Sequence, residues 1–77
     1  MNKVRRTSLR KLVIKLHEIN DELESICSDE EEYFENIPEN LKCSERANES
    51  EEAISLLQDT SLLIEEVINN IDDITSY

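Results

Sequence analysis

Apolar residues recur at steps of three and four through two blocks of this 77-residue chain, and a single break separates them, at Ile37-Pro38. The first block runs Leu9, Leu12, Leu16, Ile19, Leu23 and Ile26, passes a slot at Glu30, and continues to Tyr33 and Ile37. Val13 and Phe34 widen it, and His17 falls beside it, next to Leu16. Alternating steps of three and four return the side chain to one side of a helix, so a stripe of this kind faces one neighbour along its whole length. The second block runs Ala47, Ser50, Ile54, Leu57, Ser61, Ile64, Ile68 and Ile71. An adjacent stripe adds Ala53, Leu56, Thr60, Leu63, Val67 and Ile74, so the second helix is expected to meet more than one neighbour.

Proline disfavours helical geometry in the residue before it and offers no amide to the preceding turn, which places the reversal at Pro38. The expected organisation is a single domain over residues 1–77. Helix 1 covers about 8–36 from a cap at Thr7 or Ser8, the turn about 37–43, and helix 2 about 44–74. Ser44, or Asn48 with Glu51 as a capping box, starts the second helix. Asn36 and Asn40 flank the proline and can adopt left-handed geometry in place of the glycines the chain lacks. Two helices of equal length joined by a short turn fold back as an antiparallel hairpin. The fold class is therefore all-α, a coiled-coil-like hairpin. Its second stripe calls for pairing with another copy into a four-helix bundle.

Charge is sorted along the chain. Residues 1–15 carry Lys3, Arg5, Arg6, Arg10, Lys11 and Lys15 and no acid, whereas all nineteen acids follow from residue 18 against only Lys42 and Arg46. Bases at the start of helix 1 and acids at the end of helix 2 each oppose the helix dipole, but an antiparallel hairpin makes the two ends neighbours. The turn region gathers ten acids against Lys42 and Arg46, so it repels its own copy, and a dimer of hairpins is expected to run head to tail.

A net charge of −11 opposes direct binding of nucleic acid, with the basic start (Arg5, Arg6, Arg10, Lys11) as the one local surface suited to phosphate or an anionic membrane. The lack of glycine removes phosphate-cradling loops and dinucleotide fingerprints. No apolar run approaches the length of a signal core or a membrane span, and the expected compartment is the cytoplasm. Zinc finds only Cys27, Cys43 and His17, and the two cysteines lie too far apart along the hairpin for a disulfide. His17 stands ten residues from Cys27 on one helix, too far to activate it as a nucleophile. No cofactor and no catalytic residue are expected, and the chain reads as a non-enzyme.

The run Glu30-Glu31-Glu32-Tyr33-Phe34-Glu35-Asn36-Ile37-Pro38-Glu39-Asn40-Leu41, with Ser44-Glu45-Arg46 and Glu51-Glu52-Ala53-Ile54 after it, resembles small uncharacterised acidic helical-hairpin proteins. These are encoded by phages and mobile elements of Gram-positive bacteria. The resemblance spans residues 9–74 in pattern and about 30–54 in motif, and it implies a helical hairpin of mobile-element origin with no assigned activity. Cys43 and Ala47 depart from the polar and often larger residues usual there.

The function expected is that of a small acidic interaction module, homodimeric and serving a protein partner, with Glu30, Glu31, Glu32, Tyr33, Glu35, Glu39, Glu45 and Glu49 at the acidic tip as its contact surface. The competing reading is an acidic mimic of nucleic acid that inhibits a nuclease or a DNA-binding protein.

Overall fold

The computed structural model describes residues 1–77 and is an elongated helical hairpin, 59 × 15 × 13 Å. Helix α1 spans Lys3–Glu35 and helix α2 spans Glu45–Thr75, with a single 3-10 turn, Glu39–Leu41, between them. At about 1.5 Å per residue the helices measure roughly 50 and 46 Å, so neither outruns the other.

α1 begins earlier than the hydroxyl pair at Thr7 and Ser8 led us to expect. Asn2 is its cap, the Oδ1 accepting from the Arg5 amide at 2.8 Å, while Thr7 and Ser8 donate back to the carbonyls of Lys3 and Val4 inside the helix. An asparagine before a run of good helix formers competes well for this role, and a mid-helix hydroxyl is satisfied by the carbonyl four residues back. Ser44 caps α2, accepting from the Ala47 amide at 3.3 Å.

The reversal needs no left-handed residue, and neither Asn36 nor Asn40 uses its capacity for that geometry. Asn36 sits in right-handed helical geometry, Pro38 is extended, and no residue has positive φ. The turn is spread over the residues between the helices, and the 3-10 segment closes with hydrogen bonds from the Leu41 amide to the Pro38 carbonyl (2.8 Å) and from the Ser44 amide to the Leu41 carbonyl (3.0 Å). Successive 3-10 bonds turn the chain gradually, which removes the demand for glycine. The Lys42 ammonium lies 4.6 Å from the centroid of the Phe34 ring and covers the end of the seam.

The seam between the helices is a continuous three-four ladder on both sides. On α2 it follows the expected Ala47, Ser50, Ile54, Leu57, Ser61, Ile64, Ile68 and Ile71, each buried or half-buried. On α1 it keeps Leu9, Leu16, Leu23 and Glu30 but replaces Leu12, Ile19, Ile26 and Tyr33 with the next residue in each case: Val13, Asn20, Cys27 and Phe34. Two stripes with one common leg are equally periodic. The smaller Val13, Asn20 and Cys27 let α2 approach, and Asn20 is tolerated because Ser61 donates a hydrogen bond to its Oδ1 at 2.7 Å.

Such a thin rod buries little. Five residues are buried (Asn20, Cys27, Ala47, Ser50, Ile68), and no large side chain is completely enclosed. Ala47 is 0% exposed where α2 leaves the turn, and Ile68, 4% exposed, is the best-buried large aliphatic. Ser50 lies in the same seam with its hydroxyl buried and unpartnered. In urea unfolding at fixed protein concentration, Ile68→Ala is expected to destabilise by about 2–4 kcal/mol. Ser50→Ala should stabilise by about 0.5–1 kcal/mol, because it removes an unsatisfied hydroxyl from the seam. A loss of stability in Ser50→Ala would mean that the hydroxyl finds a partner.

Candidate functional site

The hairpin has two unlike flanks, and the hydrogen bonds between the helices fix which residues share each. Glu31 accepts from the Gln58 side chain at 3.4 Å, and Glu24 accepts from Ser61 at 3.4 Å. These links mark one flank, on which Glu24 and Glu31 of α1 face Gln58 and Glu65 of α2 across a groove of about 490 Å³. Cys27, Leu57 and Leu62 supply its apolar lining. Glu24 and Glu31 are one heptad apart on a rigid helix, about 10 Å along the axis.

An antiparallel pair is related by an approximate two-fold normal to the plane of its axes, which keeps each flank of one helix beside the same flank of the other. The residues that precede the seam positions therefore gather on the opposite side. On α1 these are Leu12, Ile19, Ile26 and Tyr33, the residues displaced from the seam. On α2 they are Ala53, Thr60, Val67 and Ile74, with Leu56 and Leu63 bordering them. The eight large side chains of this set are 38–61% exposed. The sequence identified the α2 half of this surface as a second stripe. The α1 half was assigned to the core, and only the choice of the Val13–Phe34 leg for the seam releases it to solvent.

The acidic tip is present but is not one surface. Glu30 is half-buried in the seam, whereas Glu31, Glu32, Glu35, Glu39, Glu45 and Glu49 are exposed, and Tyr33 is 42% exposed. Glu31 points to the carboxylate groove and Tyr33 belongs to the apolar flank, where it lines a notch with Ile37, Leu41 and Arg46 beside the turn. At the other end Arg5, Arg10 and Lys11 are exposed, while Arg6 is half-buried with its Nε unpartnered. The cross-helix hydrogen bonds lie at mid-length or towards the turn, not at the open end where opposite charges were expected to orient the helices.

Sequence reasoning missed the groove and the Asn20–Ser61 link. Both follow from one signal, a polar residue at each of two seam positions that antiparallel pairing brings level. No group of three or more His, Cys, Asp or Glu side chains is arranged to hold a metal ion, and no helix is long and apolar enough to cross a membrane. No protein-family model, curated protein or solved structure matches the chain.

Both cysteines are free, Cys27 buried and Cys43 exposed. Burial pushes the Cys27 thiol above its ordinary pKa, helped by its 3.3 Å hydrogen bond to Glu31 and by the charges of Glu31 and Glu24. A raised pKa means less thiolate at neutral pH, so Cys27 is the inert thiol. With iodoacetamide at pH 8, read by mass spectrometry, Cys43 is expected to react at least about tenfold faster than Cys27. Glu31→Gln removes a repelling charge, lowers the Cys27 pKa and narrows the gap. Equal rates in the unmodified protein would contradict this assignment.

Proposed function

We propose that the protein is a non-enzymatic, cytoplasmic interaction module that pairs with itself into a four-helix bundle and offers a carboxylate-rich surface to a protein partner. The observation that carries this reading is the division of the rod into an apolar flank and a carboxylate flank. Apolar surface on a particle this thin is best removed from water by another helical face. Once that flank is covered, the groove of Glu24, Glu31 and Glu65 and those tip carboxylates that lie off the flank remain as the outward surface, suited to a basic partner. The resemblance of residues 30–54 to acidic hairpins of phages and mobile elements supports an accessory role in such an element.

The rigid, heptad-spaced carboxylates of the groove also favour a second reading, a nucleic-acid mimic that occupies the basic cleft of a nuclease or DNA-binding protein. Affinity capture from the native host at low and high salt separates the two. A protein partner held by the groove is expected to be lost on Glu24→Gln/Glu31→Gln/Glu65→Gln substitution and to be indifferent to added duplex DNA. A target of mimicry is released both by DNA and by rising salt. Retention of the same proteins by the triple variant at both salt concentrations would overturn the assignment of the groove.

A further inference from the structure

We infer that the apolar flank is the seat of a second copy of this chain, placed head to tail about a two-fold axis that passes through Ile19 and Thr60. This deepens the self-pairing reading above and rests on it, and it specifies which face meets which and in what register.

A two-fold interface must be complementary to itself. Ile19 is the midpoint of α1 (Lys3–Glu35) and Thr60 the midpoint of α2 (Glu45–Thr75), and both lie on the apolar flank. An axis through them, perpendicular to the rod, stacks α1 on α1 and α2 on α2 in opposite directions. Positions one heptad either side then meet: Leu12 faces Ile26 of the second copy, and the small Ala53 faces its Val67. At two heptads the charges meet as well. Arg5 falls against Tyr33 of the second copy, beside its Glu32, and Arg46 falls against Ile74, beside its Asp73. On the axis Ile19 faces its own copy and Thr60 faces Thr60, whose hydroxyl is already satisfied by the Leu56 carbonyl; every other flank residue finds an apolar neighbour or an opposite charge.

The alternative two-fold, along the rod, brings the turns together. Ten acids against Lys42 and Arg46 would then face an identical set, whereas the head-to-tail axis sets each turn against the basic start of the other copy. The size of the surface fits a stable pair. The whole outline of the flank, 59 Å by 15 Å, is about 900 Å², so an axis through the midpoints, which overlaps the two rods completely, is what lets the contact reach the ~800 Å² per partner of a standard protein–protein interface.

The test uses the full chain and its own exposed cysteine. Sedimentation equilibrium at high micromolar concentration is expected to give twice the 9.0 kDa chain mass. A nitroxide on Cys43, beside the turn, should report a spin–spin distance of about 50 Å or more in that particle, since the two turns lie at opposite ends of rods this long. Ile19→Glu and Thr60→Arg, both on the flank at mid-length, should each give a helical monomer, and Leu62→Glu on the carboxylate flank should remain dimeric. If Ile19→Glu fails to fold, Thr60→Arg alone decides the face, because Thr60 is exposed in the hairpin. A dimer with a spin–spin distance below about 25 Å would overturn the head-to-tail register and leave self-pairing intact. A 9.0 kDa particle would overturn self-pairing too. Dimers that survive Thr60→Arg but not Leu62→Glu would move the interface to the other flank.

Discussion

The packing of two helices of 33 and 31 residues along a single seam governs the rest of this molecule. A seam of alternating three- and four-residue steps uses one narrow stripe of each helix, so a two-helix rod has an inside only one side chain deep. Its cross-section of 15 × 13 Å leaves room for five buried residues, and even Leu9, Leu16, Leu23, Ile54 and Ile64 keep part of their surface in water. A chain of this size gains only a small margin over conformational entropy from such a core. The apolar residues outside the seam are therefore surplus to the hairpin itself, and the collection of eight of the fourteen exposed large ones on one flank, against Leu62 on the other, is the property from which the quaternary proposal follows.

The polar residues in the seam set what the apolar ones do not. Leucine and isoleucine pack with little regard for register, whereas Asn20 requires a partner at its own level and finds it in Ser61. A buried amide left without its hydroxyl would cost about 1–3 kcal/mol, enough to disfavour a slip of the two helices by one heptad. The same link holds Glu24 against Ser61 and, one heptad on, Glu31 against Gln58, so the carboxylate groove is a consequence of the register rather than a separate construction. Burial of Cys27 under these two carboxylates completes that flank and keeps its thiol protonated.

Most of the architecture was legible in the chain. The break at Pro38, the Ser44 cap and the α2 seam from Ala47 to Ile71 correspond directly to what the residues imply, because helical period and proline geometry are local properties. The errors came where two local solutions were equally good. Thr7 and Ser8 are sound caps until Asn2 offers a better one, and asparagines two residues either side of proline suit left-handed turns until a 3-10 segment makes them unnecessary. The α1 stripe through Leu12, Ile19, Ile26 and Tyr33 is as periodic as the one through Val13, Asn20, Cys27 and Phe34, and more hydrophobic.

The sequence by itself determined that two long helices form, where they part, and that positive and negative charge are held at opposite ends of the first. Those follow from the spacing of side chains along one chain and from the covalent geometry of proline. Only the tertiary structure decided which of the two α1 stripes faces α2, since that choice depends on how closely the helices approach and on whether Ser61 comes level with Asn20. With it were decided the two flanks, one greasy and one acidic, which are properties of a pair of helices and of neither alone.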